Sequence, residues 1–468
     1  MKCKLIAVLM VGGITGAILT AQSIPNGFPL PNGSGFAETY NVNGASVRMD
    51  GPFFKALGTN GRSCASCHLP TEGWSFSTDE VKMRFLLTQG RDPIFRTNDG
   101  SNCDHDIDTS SVQGRRKAYS LLLNKGVIRI AMTVPPSAEF TVINVQNPYG
   151  CSDTSTLSMY RRPLPATNLK FLSTVMWDGR ESSSQTGTEA IAYATNPADL
   201  MTDLVHQAID ATSGHAQGST PLTAQQAQEI ANFEMGLRTA QAIDYRAGFL
   251  NANGAAGGPS ALASQSFFVG INDPLGNSPP GTQFTSAIFN LYDAWVNANL
   301  PLTDRSPAGY RASIARGQAV FNSKPISITG VAGLNDELGI ASIPGTCGTC
   351  HDSPNVGDHS FPAPLNIGVG DVTSPLDISY LPVITLENNT THEIRQTTDP
   401  GRALITGKWK DIGKVKGPIL RGLASRPPYF HNGSAATLND VVDFYNKRFT
   451  IGFTPQEKND LIAFLSTL

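Results

Sequence analysis

Two five-residue motifs of the form Cys-x-x-Cys-His occur in the sequence, at positions 64–68 and 347–351. Two thiols at this spacing can add to the two vinyl groups of a haem, and the adjacent imidazole can bind its iron. A structural zinc site would need two Cys-x-x-Cys pairs close together, and a dithiol redox motif does not require the histidine. The motifs therefore predict two covalently bound haem c groups. The residues that attach them and bind the iron are Cys64, Cys67, His68, Cys347, Cys350 and His351.

The sixth iron position decides what each haem can do. A methionine or a second histidine there gives an electron-transfer haem, whereas an open or weakly held position can bind peroxide. All nine methionines lie at or before Met235, so the second haem has no methionine in its own half of the chain. The remaining candidates for its sixth ligand are Tyr445, His431, His392 and His359. No histidine follows His68 until His105, so we expect the first haem to be open or weakly six-coordinate and to be the peroxide site.

The first residues have the three parts of an export signal. Lys2 and Lys4 form a basic start, residues 5–19 are apolar, and small residues precede Gln22. An uncleaved membrane anchor fits less well, because the apolar stretch is shorter than the ~20 residues that span a bilayer. No later segment is long and apolar enough to cross a membrane. We therefore expect a signal peptide at 1–21 and a mature periplasmic protein.

The charge balance and the remaining cysteines restrict further which class of protein this can be. The 35 Lys and Arg residues nearly balance the 38 Asp and Glu residues, which argues against binding to nucleic acid or to an anionic membrane surface. Cys3 leaves with the signal peptide, and four cysteines belong to the haem motifs. Cys103 and Cys151 remain, each in a polar loop. In an oxidising compartment they are predicted to form a disulfide.

The two haem motifs divide the chain into similar halves. An apolar stretch precedes each motif, at 51–57 and at 317–321, and a related segment closes each half. In both closing segments a Thr precedes a Phe by ten positions and a Leu by fourteen: Thr223, Phe233 and Leu237 in the first, and Thr454, Phe464 and Leu468 in the second. The Thr is a suitable N-cap and the apolar spacing is helical. Each half thus ends as a cytochrome c module does.

These features predict a mainly α fold with two cytochrome c-like domains and long loop and short-strand insertions. The first domain is expected at 22–300 with the first haem, and the second at 301–468 with the second haem. The insertions are at 100–160, which includes a strand-like segment, and at 251–285, which is rich in Gly, Ser and Pro.

Several longer segments resemble bacterial di-haem cytochrome c peroxidases and their MauG-like relatives. Residues 176–181 read Met-Trp-Asp-Gly-Arg-Glu, which is similar to the Phe-Trp-Asp-Gly-Arg-Ala signature of that family. The other similar segments are 420–423, 428–434, 437–438 and 441–446. The resemblance covers both halves but not the insertions. It implies a peroxidatic first haem, a second haem that passes electrons to it, and Trp177 between the two.

The resemblance also implies roles for single side chains. Tyr445 falls where the peroxidases place a Met ligand of the second haem, as in MauG-like proteins, and a phenolate stabilises ferric iron more than a thioether does. His431 belongs to the similar segments around the second haem. Glu189 and Asp199 stand nearest to a Gln and a Glu beside the peroxide haem. A carboxylate there can move a proton between the peroxide oxygens.

A calcium ion between the domains is a further implication of the resemblance, through an Asn side chain and backbone carbonyl groups. Arg162 stands near that Asn position here, and a cation beside calcium is unfavourable. Asp104, Asp106 and Asp108 are an alternative set of ligands, although an acidic surface loop is the better explanation of them. Calcium therefore remains open beside the two haem c groups.

Four functions follow from these features and stay open. The first is a peroxidase that reduces hydrogen peroxide with electrons from a small periplasmic donor, such as a monohaem cytochrome c or a cupredoxin. The second is a MauG-like oxidase that forms high-valent iron to oxidise a protein or an organic substrate. The third is electron transfer without catalysis, which would need two strong sixth ligands. The fourth is oxygenase chemistry on an apolar polymer. The oligomeric state is also open.

Overall fold

The computed structural model of the chain describes residues 22–182, 196–276, 278, 281–297 and 299–468. Of these residues, 31% are helical and 17% lie in strands. The prediction of a mainly α fold is therefore wrong, and the fold is mixed α and β. Helical spacing is visible within one segment of sequence, whereas a strand is stabilised by a partner that is often distant in the chain. The sequence pattern therefore indicated helices better than strands.

The α-helices vary from single turns to five turns. In the described part of the chain they are α1 (Thr78–Thr88), α2 (Val112–Ala118), α3 (Ser120–Lys125), α4 (Pro197–Gly214), α5 (Ala224–Gly236), α6 (Pro259–Ala263), α7 (Pro307–Ser323), α8 (Asn335–Leu338), α9 (Ala403–Thr406), α10 (Leu438–Phe449) and α11 (Pro455–Leu465). The two Cys-x-x-Cys-His motifs begin as short 3₁₀ turns, Cys64–Ser66 and Cys347–Thr349.

The strands form several small antiparallel sheets. They are β1 (Ser23–Pro25), β2 (Leu30–Pro31), β3 (Gly35–Asn41), β4 (Ser46–Arg48), β5 (Ile128–Thr133), β6 (Phe140–Gln146), β7 (Thr156–Arg161), β8 (Leu237–Asp244), β9 (Gly248–Phe249), β10 (Ile326–Thr329), β11 (Ser342–Gly345), β12 (Val383–Asn388) and β13 (Ile394–Thr397). The strand orders are β1-β4, β2-β3-β8-β9, β5-β7, β6-β12-β13 and β10-β11.

The predicted closing helices are confirmed. Thr223 caps α5 by accepting a hydrogen bond from the Gln226 N–H, and Thr454 caps α11 in the same way through Glu457. Both caps are reciprocal, which satisfies two N–H groups at each helix start. Leu237, expected on the first closing helix, is instead the first residue of β8.

The closing helices pack against the start of each half. In the first half Phe233 of α5 lies against Phe53, with ring centroids 4.8 Å apart. In the second half α11 crosses α7 so closely that a Cβ added to Gly317 would overlap the backbone oxygen of Asp460. Glycine is required at such a close approach of two backbones. Residues between 247 and 295 share the second core with α7 and α11.

The 100–160 segment is joined to both halves. Its strand β6 pairs with β12 of the second half, and the predicted disulfide between Cys103 and Cys151 is confirmed. The domain limits at 300 and 301 stay a prediction. In the part of the chain that the structure describes, no helix has the length and apolarity needed to cross a bilayer. The expected signal peptide at 1–21 lies outside the described residues.

Candidate functional site

The first Cys-x-x-Cys-His motif is closed by its own hydrogen bonds. The Ser63 N–H donates to the Ser66 hydroxyl (3.0 Å), and the His68 N–H donates to the Cys64 carbonyl oxygen (3.0 Å). Nδ1 of His68 lies 3.0 Å from the carbonyl oxygen of Trp74. Because a carbonyl only accepts, Nδ1 carries the hydrogen. Burial lowers the pKa of His68 to about 4, so its ring is neutral and Nε2 is left as a ligand atom.

The second motif repeats this arrangement. The Thr346 N–H donates to the Thr349 hydroxyl (3.0 Å), and the His351 N–H donates to the Cys347 carbonyl oxygen (3.1 Å). Nδ1 of His351 lies 2.7 Å from the carbonyl oxygen of Gly357. Burial lowers the pKa of His351 as well. Both histidines are thus held in the same tautomer by a backbone oxygen six residues later.

Each motif opens into its own cavity, and both cavities are mainly apolar. The first cavity lies against Cys64, Cys67 and His68. Its apolar walls include Leu169, Leu172, Val175, Leu204 and Ile230. The second lies against Cys347, Cys350 and His351, with apolar walls that include Ile326, Ile328, Leu365, Val442 and Leu461. A flat apolar macrocycle suits such walls.

The cysteine thiols have the character of haem attachment sites. None of the four is in a disulfide. Burial raises the pKa of Cys64, Cys347 and Cys350 to about 12 and also raises that of Cys67. A catalytic dithiol instead stabilises the thiolate and lowers the pKa. Two uncharged thiols, an imidazole with a free Nε2 and an apolar cavity therefore fit a covalently bound haem in each half.

The two cavities share one wall, and Trp177 lies in it. The residues that line both cavities are Arg162, Pro163, Leu164, Trp177 and Lys416. The Trp177 Nε1 donates to the Arg162 carbonyl oxygen (2.7 Å), and the Lys416 N–H donates to the Trp177 carbonyl oxygen (2.8 Å). The indole also meets the ring of His431 edge-on, with centroids 6.0 Å apart. Trp177 is therefore held at its ring nitrogen and at its backbone carbonyl group, with His431 packed against the ring.

A buried ion-pair network holds the turn that carries Trp177. Arg161 donates to both carboxylate oxygens of Asp399, at 2.6 and 2.8 Å, and also pairs with Asp178. Burial alone would raise the pKa of Asp178, but the charges of Arg161 and then Arg180 lower it to about 2. Asp399 lies in the second half and Asp178 in the first. Because removing one partner of a buried pair leaves an uncompensated charge, the network resists movement of the turn.

The candidates for the sixth ligand of the second haem separate into three groups. His392 is exposed and pairs with Glu387 at the surface, away from the residues that line the cavity. His359 lines the cavity, but its hydrogen bond to Asp352 (2.8 Å) and the charge of Asp352 outweigh burial and raise its pKa. A carboxylate on Nδ1 is a common way to orient a histidine ligand. Tyr445 and His431 lie on the same cavity wall.

Tyr445 and His431 offer different ligand atoms. Tyr445 lies on α10, and burial raises its pKa, as do the nearby Cys350 and Cys347. His431 is 4% exposed, and its Nε2 has no hydrogen-bond partner among the residues that the structure describes. Burial lowers its pKa to about 4. A neutral imidazole nitrogen and a phenol thus face the same cavity, and the choice between them stays a prediction.

Four polar side chains that the sequence reasoning missed line the first cavity. They are Gln207, Thr212 and His215 of the α4 region and Glu234 of α5. Nδ1 of His215 lies 2.6 Å from Asp99. Glu234 is 6% exposed, its Oε2 has no partner in the described part of the chain, and burial raises its pKa to about 8. A charged residue in the apolar register of α5 is the signal that could have identified it.

The two acids expected beside the first haem are not seen together at the cavity. Asp199 lies half-buried in the first turn of α4, where the Asn196 side chain donates to it (2.8 Å). It is absent from the described residues that line the cavity. Glu189 lies outside the described residues. His105 pairs with Asp104 on the surface, away from the first cavity.

A calcium ion does not fit at the position that the resemblance suggested. The Arg162 guanidinium occupies that position and donates to the backbone oxygens of Phe76 (2.6 Å) and Gly126 (3.0 Å). The alternative acidic loop is also engaged, since Asp104 pairs with Arg129 (2.6 Å) and Asp108 accepts from Ser110 (2.6 Å). Calcium requires six to eight oxygen ligands, which neither place supplies.

Comparison with known proteins points to peroxidases. No protein-family model matches the chain. Cytochrome-c peroxidase IdrP1 of Denitromonas iodatirespirans is 31% identical over 189 residues, which cover 35% of this chain and 43% of that protein. Cytochrome c551 peroxidase of Nitrosomonas europaea is 30% identical over 125 residues, 26% of this chain and 30% of that protein. The chain thus matches less than half of the length of these relatives. The matches confirm the resemblance to bacterial cytochrome c peroxidases.

Solved structures show only distant likeness. A MauG-like protein associated with microbial copper homeostasis is 17% identical, with a TM-score of 0.38 over 89% of this chain and 85% of that one. A variant of the diheme peroxidase BthA from Burkholderia thailandensis is 16% identical, with a TM-score of 0.29 over 95% of each chain. Superpositions at this level support no statement about the fold or the site.

Proposed function

We propose that this protein, whose matching relatives are cytochrome c peroxidases, reduces hydrogen peroxide with two haem c groups, one in each cavity. The observation that carries the proposal is the wall shared by two Cys-x-x-Cys-His cavities, with Trp177 in it. A peroxidase of this kind needs one site that cleaves peroxide and a second that supplies electrons to it. Two equivalent cavities on either side of one indole support that division.

The proposal also covers the role of each domain, the compartment and the electron donor. Residues 22–300 form the peroxidatic domain and residues 301–468 the electron-transfer domain, in a mature periplasmic protein. The electron donor is a small periplasmic protein such as a monohaem cytochrome c or a cupredoxin. Donors of this class are the usual source of single electrons in an oxidising compartment, where thiol reductants are scarce.

The chain's own residues attach and orient the cofactors. In each half the two motif cysteines would hold one macrocycle covalently. His68 in the first half and His351 in the second would present Nε2 to the iron, each oriented by a backbone oxygen on Nδ1. A hydrogen bond on the distal nitrogen fixes the ring and raises its basicity as a ligand. Bound haem supplies a redox-active iron with a sixth position at which peroxide can be cleaved or an electron held.

Trp177 is proposed to shorten the electron path between the two sites. Its indole is anchored through Nε1 and through its own carbonyl oxygen, and the Arg161–Asp178–Asp399 network restrains the turn. A rigid aromatic bridge keeps the distance on either side constant. Electrons arriving from the donor at the second half then pass this wall to reach the first cavity.

Reduction of one peroxide to two waters consumes two electrons and two protons, so the first cavity also needs a proton source. For Glu189 and Asp199 this role rests on the resemblance alone, since Asp199 is absent from the described residues that line the cavity. Glu234 is an additional candidate, because it lines the first cavity and its raised pKa keeps a proton on its carboxyl group near neutral pH. Gln207 and Thr212 can orient peroxide or water by hydrogen bonding there.

One observation favours a second function, MauG-like oxidation of a protein or organic substrate. Tyr445 lines the second cavity near Cys347 and Cys350, and no methionine follows Met235. A phenolate ligand favours ferric and more oxidised iron over ferrous iron. The second site would then store oxidising equivalents instead of supplying electrons.

Stopped-flow absorbance separates the two functions. One equivalent of peroxide is mixed with the fully ferric protein and, separately, with the half-reduced protein, and the haem bands are followed. The peroxidase proposal expects the half-reduced protein to consume peroxide. Because that protein holds one electron above the ferric state and peroxide takes two, its spectrum should return to ferric only after an added one-electron donor supplies the second electron. A ferric protein that reacts at once and yields a long-lived new spectrum would support the MauG-like function. If neither form reacts, both proposals are wrong, and electron transfer and oxygenase chemistry remain.

A further inference from the structure

The side chain of Arg162 is the most enclosed charge in the wall between the two cavities. It is 5% exposed, and its guanidinium donates to backbone oxygens of three separate segments. These are Phe76 (2.6 Å), Gly126 (3.0 Å) and Arg426 (3.2 Å). The space is tight, since a Cβ added to Gly126 would overlap the guanidinium. The carbonyl groups therefore form a cage that the planar cation fills.

The backbone of the same residue joins the two sides of the wall. The Arg162 N–H donates to the carbonyl oxygen of His431 (2.6 Å), and the Arg162 carbonyl accepts from Trp177 Nε1 (2.7 Å). Phe76 and Gly126 belong to the first half of the chain, whereas Arg426 and His431 belong to the second. One residue thus links both halves to the indole between them.

The charges around the cage exclude a second cation. Among the residues that the structure describes, no carboxylate forms an ion pair with Arg162, although the nearby Glu72 acts on it electrostatically. Lys416, 6% exposed, lies in the same wall, and Arg426 lines the second cavity beside it; both carry further positive charge. Burial, and then the charge of Arg426, lowers the pKa of Arg162 to about 9, which leaves it protonated at neutral pH. A divalent ion placed here would meet three positive charges at low dielectric.

The hydrogen-bond lengths fit an arginine at this place and not a calcium ion. Calcium binds oxygen at about 2.3–2.6 Å and requires six to eight such ligands. The guanidinium instead uses five N–H donors in a fixed plane, which suits carbonyl oxygens at hydrogen-bond distance. The three acceptor oxygens are already used by the arginine.

We infer that the Arg162 guanidinium takes the place of a bound metal ion in this wall. Its hydrogen bonds clamp the two haem-binding halves around Trp177 without calcium. The clamp goes beyond the proposed peroxidase function. Its tests follow unfolding, which does not depend on peroxide turnover, so the clamp can be judged separately from the peroxidase function.

The first test is chelation of the purified holoprotein. Thermal unfolding is followed by calorimetry after treatment with excess EGTA and, separately, after addition of millimolar calcium chloride. A built-in cation predicts the same unfolding midpoint and the same single transition in both. A midpoint that falls by more than about 3 °C in EGTA and returns with calcium would overturn the inference, since shifts of that size correspond to a lost stabilising interaction.

The second test removes the guanidinium and uses a matched control. Arg115 is also buried (7% exposed) and donates to three backbone oxygens, those of Gln89, Thr109 and Ser110, but all three lie within the first half. Arg162→Ala is expected to split the unfolding into two transitions, because the halves are no longer clamped. Arg115→Ala is expected to lower the midpoint while leaving one transition.

Two further measurements keep this test decisive. Millimolar guanidinium chloride, far below a denaturing concentration, should restore part of the single transition in Arg162→Ala, and Arg162→Lys should keep more of it than Ala does. If Arg162→Ala does not fold, Arg162→Lys and the chelation test still decide. A single transition in Arg162→Ala, equal to that of Arg115→Ala, would show that Arg162 is an ordinary packing residue. Loss of peroxide turnover alone would bear on the proposed function and not on the clamp.

Discussion

His68 and His351 are alike in tautomer, in the backbone oxygen that orients them and in their lowered pKa, although the two cavities differ in their other polar groups. The second cavity has Tyr445 and His431 on its wall, and the first has Glu234. The differences in chemistry between the two sites therefore arise from single side chains on the cavity walls, and each of these can be tested by substitution.

Tyr445→Phe is expected to raise the midpoint potential of the second haem and to change its ferric absorption spectrum. The reason is that a phenolate stabilises ferric iron, and Phe offers no ligand atom. Spectroelectrochemical titration of both haems measures the effect. Tyr429→Phe is the matched control, because Tyr429 lines the same cavity but donates its hydroxyl to the Leu423 oxygen (3.0 Å). Equal potentials in wild type and Tyr445→Phe would leave His431 as the ligand to test next.

Glu234→Gln is expected to change how stability depends on pH. Burial raises the folded-state pKa of Glu234 to about 8, above the ordinary value of a glutamate. Between those values the unfolded chain releases the proton and the folded chain keeps it, so the free energy of unfolding falls as pH rises. Gln has no such proton. The unfolding midpoint of wild type should therefore drop relative to that of the variant between pH 5 and 8, by on the order of 5 °C.

Glu229→Gln serves as the control for that measurement. Glu229 lies on the same helix but is exposed, so its substitution should leave the pH dependence of the midpoint as in wild type. If Glu234→Gln and wild type show parallel midpoints from pH 5 to 8, then Glu234 is not held protonated and is not a proton source for the first cavity.

The crossing of α7 and α11 positions the second cavity, because α11 carries Leu461 and Leu465 into its wall and Phe321 of α7 stands opposite. Gly317→Ala should disrupt this crossing, since the new Cβ would overlap the Asp460 backbone oxygen. Overpacking of this kind costs about 1–3 kcal/mol. Denaturant titration measures the loss.

Ala319→Gly is the control for this helix pair. Ala319 is exposed on α7, so the change should cost only the ~1 kcal/mol of helix propensity that separates the two residues. An equal or smaller loss for Gly317→Ala would mean that the two helices are not held at the observed distance.

The closing helices were predictable because their signals are local. A capping Thr, a first-turn Gln or Glu and apolar residues at helical spacing all fall within one segment. The sheets were not predictable in the same way. β3 pairs with β8 and β6 with β12, and in both cases the partners are far apart in sequence. The short apolar runs of these strands do not indicate which strand each one pairs with, and for this reason the fold was expected to be mainly α.

Trp177 belongs to the whole molecule, since it lines both cavities and neither half alone encloses it. Trp177→Phe is expected to slow peroxide turnover with the external donor several-fold while leaving haem content and the spectra of both haems unchanged. The matched control is Trp295→Phe, because that buried indole also donates to a backbone oxygen (Ala252, 2.9 Å) but lies away from both cavities. Equal turnover in the two variants would exclude the indole from the electron path.

The sequence by itself determined the cofactor chemistry: two Cys-x-x-Cys-His motifs specify two covalent haem sites because attachment depends on spacing within five residues. It also determined the leftover cysteine pair and the absence of a methionine near the second site. Only the tertiary structure decided which histidines reach a cavity, that Glu234 faces the first one, and that Arg162 fills the cage between them. Those features depend on distances between segments far apart in the chain, and such distances are set by packing, which no local pattern encodes.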